Sequence, residues 1–270
     1  MPDPFYAIKH KRGQAPFFCN IIFNWTNILF IINIMNINLL YRKRSEYMGE
    51  IFNDKEEALI SVAHVSERIK VFPYYFRHHI PGAQNDCFLR EGVVQKLLAA
   101  LKSIPEEYHF VILDGWRSYR TQQALYDMHQ TYFLQRYDKK EAKKQLSRFV
   151  AAPSMDPYNP APHYTGGAVD LTLANEKGWL DMGTDFDEFT EKAHSLFYEK
   201  ELLTDEEKNI RDRRRLLRKS MIDVGFRSNP DEWWHFDYGN PLWAKENNTL
   251  PKYMGIELTA KKGGKHVEKD

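Results

Sequence analysis

The chain has 270 residues, 43% hydrophobic and 28% charged, enough for one large domain or two small ones with a substantial core. A net charge of +1 gives no global electrostatic reason to expect a nucleic-acid partner. The two cysteines, Cys19 and Cys87, make neither a CxxC pair nor a disulfide framework, so any metal must be held by His, Asp or Glu.

Residues 1–48 differ from everything after them. No charge appears from Gly13 to Tyr41, and basic clusters flank this run at Lys9–Arg12 and Arg42–Arg44. One reading is a membrane anchor over residues 21–40, since about 20 apolar residues span a bilayer. Asn24, Asn27, Asn33, Asn36 and Asn38 stand against it. Another reading is an uncleaved signal. A third is that translation starts at Met48, because Ile, Asn, Phe, Tyr and Lys are what AT-rich upstream DNA would encode. The composition favours the third reading, which implies a cytoplasmic protein; the anchor would make it membrane-attached.

From Glu50 the text is ordinary. Val93, Val94, Leu97, Leu98 and Leu101 predict a helix over Glu91–Ser103, ended by Pro105. Tyr108–Leu113 reads as a strand and runs into Asp114-Gly115-Trp116-Arg117, polar groups that a rigid element can project into a site. A helix is expected over Thr121–Tyr137, and a proline-rich loop over residues 151–162. From Ala168 the alternation sends Val169, Leu171 and Leu173 to a core and Asp170 the other way. Gly166-Gly167 permits a sharp turn, so His163 can fold back near Asp170. Residues 186–224 are expected to be helical with one interruption at Thr204-Asp205, where Thr204 and Glu207 resemble a capping box. The arginines of Arg211–Arg215 are read as that helix's solvated face. Asn229-Pro230-Asp231 signals a turn before Glu232-Trp233-Trp234-His235.

Two imidazoles and a carboxylate, His163, His235 and Asp170, are a ligand set suited to a catalytic Zn²⁺ that keeps its fourth position for water. Glu232 can take the proton of that water, and Arg117 can offer fixed positive charge to an oxyanion. A regular strand would send Glu232 and His235 to opposite faces, so Glu232 must sit in the preceding loop. Blander readings stay open: a satisfied core histidine in an aromatic strand, and a buried Arg117 merely paired with Asp114.

The segments Asp114–Arg117, His163 through Asp170-Leu171-Thr172-Leu173, Asp181-Met182-Gly183 and Glu232–His235 resemble the zinc D-alanyl-D-alanine dipeptidases of the vancomycin-resistance type, over roughly residues 55–255 and in the same order. The resemblance implies an α+β fold shared with D,D-carboxypeptidases and the hedgehog signalling domain, a small, mainly antiparallel sheet flanked by helices. It implies one zinc per chain on His163, Asp170 and His235, Glu232 as catalytic base and acid, and Arg117 as transition-state stabiliser. Asp181, Asp114 and Trp116 are the candidates for contacting substrate, with Asp181 placed at its ammonium or behind a ligand. The expected organisation is an N-terminal extension over 1–48, a zinc peptidase domain over 49–258 and a flexible tail over 259–270.

Two departures bear on substrate. Ala161 stands where the family commonly has Ser, two residues before the first zinc-binding His. Ser118-Tyr119-Arg120 follows Arg117 in the manner of muropeptide carboxypeptidases. The expected activity is hydrolysis of free D-alanyl-D-alanine; D,D- or L,D-carboxypeptidase action on peptidoglycan stems is the alternative, and a non-catalytic zinc module a more distant one.

Overall fold

The structure, a computed structural model, describes residues 57–258. The extension 1–48, with the anchor read over 21–40, and the tail 259–270 lie outside the described residues. Among the described residues no helix is long and apolar enough to cross a membrane.

A mixed sheet forms the centre. Its strands are β2 (Ile69–Val71), β4 (His109–Asp114), β5 (Ala168–Asn175), β8 (His235–Asp237) and β7 (Arg227–Ser228), in the order β2-β4-β5-β8-β7. β6 (Gly178–Trp179) pairs with β5 beyond this path, and only β2 and β4 run parallel. A separate antiparallel pair joins β1 (Leu59–Ser61) to β3 (Phe88–Arg90). The sheet is thus small and mainly antiparallel, as the resemblance implied.

β5 is the middle strand, and its side chains are buried from Ala168 to Ala174. Leu171 and Leu173 join Phe236 of β8 in one apolar core. Val93 and Leu97 of α2 (Glu91–Leu101) and Leu217 and Met221 of α5 (Asp205–Asp223) complete it. Each such side chain withdrawn from water contributes roughly 1.5–3 kcal/mol. The short helices α1 (Tyr74–Arg77) and α6 (Pro241–Glu246) flank this unit.

Two helical expectations need correction. The helix expected over Thr121–Tyr137 is α3, Tyr119–Leu134, and a second helix, α4 (Lys139–Phe149), follows it. Asp138 makes the break: its carboxylate accepts the Lys140 and Glu141 N–H groups, an N-cap that starts a new helix. Phe133, Leu146 and Val150 lock the hairpin together. Residues 186–203 are turns with one 3-10 segment, Glu191–Ala193, and only Asp205–Asp223 is helical, behind the expected Thr204–Glu207 capping box. The backbone of the irregular stretch bonds elsewhere. Ser195 N–H donates to Pro230, and the Ala193 carbonyl accepts from Trp233. Helical pairing is given up to brace the loop before β8.

The arginine run is likewise not all solvated. Arg214 is buried, donating to the carbonyls of Met182 and His194 while stacking near Tyr198 and Trp233.

Candidate active site

β4, β5 and β8 place Asp114 opposite Asp170, and Asp170 opposite His235. Residues directly opposite in antiparallel strands share a face, so one row of the sheet carries two carboxylates and an imidazole. His163 reaches this row from the 3-10 turn Pro162–Thr165. Gly166 closes the turn at φ +70°, and a Cβ there would lie 2.4 Å from Leu59 Cδ2. His163 Nε2 stands 3.3 Å from Asp170 Oδ2 and 3.2 Å from His235 Nδ1, which is 2.9 Å from Asp170 Oδ1. One donor atom from each of the three residues lies within 4.8 Å of the others, and all three residues are buried.

Each ring turns its second nitrogen away. His163 Nδ1 is 2.7 Å from the Gly115 carbonyl oxygen. Gly115 is itself pressed so close to β3 that a Cβ would meet the Phe88 carbonyl oxygen at 2.5 Å. His235 Nε2 is 3.1 Å from Asp237 Oδ1. Burial alone would raise the Asp170 carboxyl, but His163 and His235 outweigh it and hold the group well below the usual carboxylate range.

Glu232 lies in the loop before β8, as the strand geometry required. The Asn229 side-chain amide donates to its Oε2 at 2.8 Å, and Oε2 is 3.9 Å from His235 Nδ1. The loop is fixed by Ser195 Oγ, which donates to the Asn229 carbonyl, and by Trp233 Nε1, which donates to Thr184 Oγ1. Burial pushes the Glu232 carboxyl up to about 8, against the pull of His235 and with the Asp170 and Asp187 charges adding to the rise. A carboxyl so raised is a stronger proton acceptor than one in water.

Arg117 follows β4. Its Nε donates to Asp114 Oδ2 at 2.8 Å and its Nη1 to Gln122 Oε1 at 2.9 Å, while Nη2 is 3.6 Å from Asp170 Oδ2. Burial works against the guanidinium charge, but Asp114, Tyr75 and Asp170 more than restore it, and Arg117 stays protonated. Arg117 is thus paired with Asp114 and also faces Asp170 of the triad.

A cavity of about 220 Å³ opens on these groups, bounded by Tyr75, Arg117, His163, Asp170, Glu232 and His235 on the sheet side. Phe149, Val150 and Ala151, at the end of α4, also line it. The remaining substrate candidates are elsewhere. Asp181 is exposed and accepts the Gly183 N–H, outside the cavity. Trp116 is buried against Ala161 and Tyr164, with Nε1 donating to the Ile256 carbonyl. Asp114 pairs with Arg117 at 2.8 Å and lies 3.4 Å from His163 Nδ1.

Sequence reasoning missed Asp187, only six residues beyond Asp181. Its carboxylate lines the cavity and accepts the Tyr75 hydroxyl at 2.9 Å. Burial raises it to about 6, with Asp170 and Asp114 adding to the rise. No local signal singles it out, since Asp185 adjoins the same Phe186 and Glu188 adjoins Phe189.

Five carboxyl groups, Asp114, Asp170, Asp187, Glu232 and Asp237, surround this centre with two guanidiniums, those of Arg117 and Arg227. Charges taken out of water need opposite charge close by. Two imidazoles and a carboxylate converging beside such an excess of acid fit a divalent cation with nitrogen affinity, and they fit zinc in particular.

That donor set, with a buried carboxyl and a fixed guanidinium lining the same small cavity, is of the kind that metal-dependent hydrolases use. The sequence profile of peptidase family M15, described as D-Ala-D-Ala dipeptidase, matches residues 59–253. The chain belongs to this family and is a peptidase. A D-alanyl-D-alanine dipeptidase of Synechocystis sp. is 31% identical over 179 residues, covering 59% of this chain and 72% of the relative. One from Escherichia coli is 41% identical over 76 residues, 28% of this chain and 36% of the relative. Among solved structures, a zinc-bound variant of the vancomycin-resistance D,D-pentapeptidase VanY is similar at 16% identity and a TM-score of 0.37, covering 63% of this chain and 84% of that one. The D,D-dipeptidase VanXYg, bound to a phosphinate analogue of D-Ala-D-Ala, is similar at 22% identity and a TM-score of 0.33, covering 62% and 57%.

Proposed function

We propose that this chain is a zinc-dependent dipeptidase that hydrolyses D-alanyl-D-alanine, with one zinc per chain held by His163, Asp170 and His235. The observation that carries the reading is the convergence of those three buried donors on the cavity that Glu232 and Arg117 also face. When bound, the metal supplies a Lewis acid for the scissile carbonyl and lowers the pKa of the attacking water.

The chain's own residues do the rest. Glu232, held by Asn229, accepts the proton of the attacking water and returns it to the leaving amine, a role served by its raised proton affinity. Arg117 cannot lose its charge and is oriented by Asp114 and Gln122, so it can stabilise the oxyanion without reorganising. Asp187 offers the cavity a carboxylate that is not one of the triad, a partner for the substrate's free ammonium, the role for which Asp181 was the sequence candidate.

A free ammonium distinguishes a dipeptide from the end of a stem peptide, where that nitrogen is an amide. A buried carboxylate at that position favours the dipeptide, because an amide would leave it unneutralised. The size of the cavity points the same way: about 220 Å³ lies below the roughly 300–1,000 Å³ of pockets for drug-sized ligands. Arg117-Ser118-Tyr119 keeps a second reading in play, carboxypeptidase action on stem peptides. Comparing turnover of free D-Ala-D-Ala with that of a muropeptide ending in D-Ala-D-Ala separates them. Cleavage of the free dipeptide alone is expected, and cleavage of the longer peptide alone would overturn the proposal.

A further inference from the structure

Asp237 is a fully buried carboxylate that the reaction itself does not use. It follows His235 by two positions in β8, so both side chains leave the same face of the strand. Its cross-strand neighbour in β5 is Ala168, whose small side chain leaves room beside it, and its neighbour in β7 is Arg227. Three donors converge on it. Asn240 Nδ2 lies 2.6 Å from Oδ1, Arg227 Nη1 lies 2.8 Å from Oδ2, and His235 Nε2 lies 3.1 Å from Oδ1. Arg227 is anchored in turn by Glu246 of α6, at 2.6 Å.

Hydrogen bonds to both carboxylate oxygens favour the ionised form, and an ionised carboxylate only accepts. The His235 ring nitrogen facing it must therefore carry a proton. In a neutral imidazole the other nitrogen, Nδ1, is then a lone-pair donor, and Nδ1 is the atom turned toward His163 and Asp170. The two histidines are thus held differently. His163 presents Nε2 and sets its Nδ1 2.7 Å from the Gly115 carbonyl oxygen with Asp114 Oδ2 at 3.4 Å, whereas His235 presents Nδ1 and sets its Nε2 against the buried Asp237 carboxylate.

We propose that Asp237, fixed by Arg227 and Asn240, is a positioning residue: it sets the His235 tautomer and strengthens Nδ1 as a metal donor. This rests on the metal-binding reading of His163, Asp170 and His235. Partners of this kind typically change metal affinity by about 10–100-fold when removed. Asp237→Asn keeps the shape of the side chain and an oxygen acceptor but removes the charge.

The test is zinc affinity of the full chain, measured by competition with a chromophoric chelator, together with ¹⁵N NMR of the histidine rings in the wild-type protein. His235→Ala serves as the control for the metal site. Expected are loss of high-affinity zinc binding in His235→Ala, a weakening of about 10–100-fold in Asp237→Asn with an unchanged circular dichroism spectrum, and a protonated His235 Nε2 in the zinc-loaded wild type. Wild-type affinity in Asp237→Asn, with His235→Ala still losing zinc, overturns the role of Asp237 alone. Retention of zinc by His235→Ala overturns the metal site and this proposal together. Should Asp237→Asn not fold, the wild-type spectrum still decides: a His235 ring protonated at Nδ1 and bare at Nε2 refutes the assignment.

Discussion

Asp187→Asn should make the metal-free protein more stable while impairing its handling of substrate. The substituted side chain keeps the shape of the aspartate, and its oxygen can still accept the Tyr75 hydroxyl. What disappears is a charge that burial opposes, since the carboxyl rises from an ordinary 3.8 to about 6. With about 1.4 kcal/mol for each tenfold change in proton affinity, ionised Asp187 costs the fold about 3 kcal/mol. The sign follows from which state holds the proton more tightly. The folded carboxyl has the higher pKa, so wild-type stability falls as pH rises from about 4 through 6, and the penalty is complete above that. The difference between Asp187→Asn and wild type should therefore be near zero at pH 4 and grow to about 3 kcal/mol by pH 7.5. Thermal or urea denaturation in the presence of a chelator, run on both proteins across this range, measures it. For a domain of this size the gain corresponds to roughly 6–12 °C in Tm. A gain that does not change with pH, or a less stable variant at pH 7.5, would refute the reasoning.

The same charge should appear in catalysis: because an ammonium needs a carboxylate partner, kcat/KM for free D-Ala-D-Ala should be lower in Asp187→Asn than in wild type, and steady-state kinetics on the two zinc-loaded proteins check it. Glu232→Ala should keep its zinc by elemental analysis but lose roughly 10²–10⁴-fold or more in turnover; near-normal activity would remove Glu232 as the base. His163→Ala should bind zinc far more weakly than wild type in a chelator competition. Arg90 donates to the carbonyls of Thr165, Glu57 and Met254 from a fully buried position, tying the His163 turn to both ends of the domain. Arg90→Met leaves those acceptors short, so a loss of several kcal/mol is expected in denaturant melts, at ~1–3 kcal/mol per unsatisfied group.

Much of the fold was legible where one residue type settles the local structure. The alternation in β5 identified the face that carries Asp170, and Thr204 with Glu207 marked the start of α5. One segment read wrongly is braced by backbone bonds to distant chain. The stretch 186–203 has enough apolar residues for a helix, but the Ser195 N–H and the Ala193 carbonyl are spent on Pro230 and Trp233, and its other backbone–backbone bonds close short local turns. No local pattern announces that exchange. The break between α3 and α4 was there to be read in Asp138, an N-cap obscured by continuous helical composition on both sides.

The site divides along the same line. His163, Asp170, His235, Glu232 and Arg117 occur in short motifs with distinctive chemistry, so their grouping could be inferred from order and residue type alone. Asp187 and Asp237 carry no such signature; each is an ordinary aspartate until its surroundings are known. Asp181 and Asp187 show how little separates them in sequence. Asp181 accepts a backbone N–H at an exposed turn, while Asp187, at φ +63°, is turned inward beside Tyr75. That inversion comes from the packing of Phe186 against Tyr74, Tyr75 and Trp234, contacts made across more than a hundred residues of chain for the two tyrosines. Burying Phe186 in that cluster commits the next residue to the cavity wall, and the charge that folding leaves there is the one a free ammonium would neutralise.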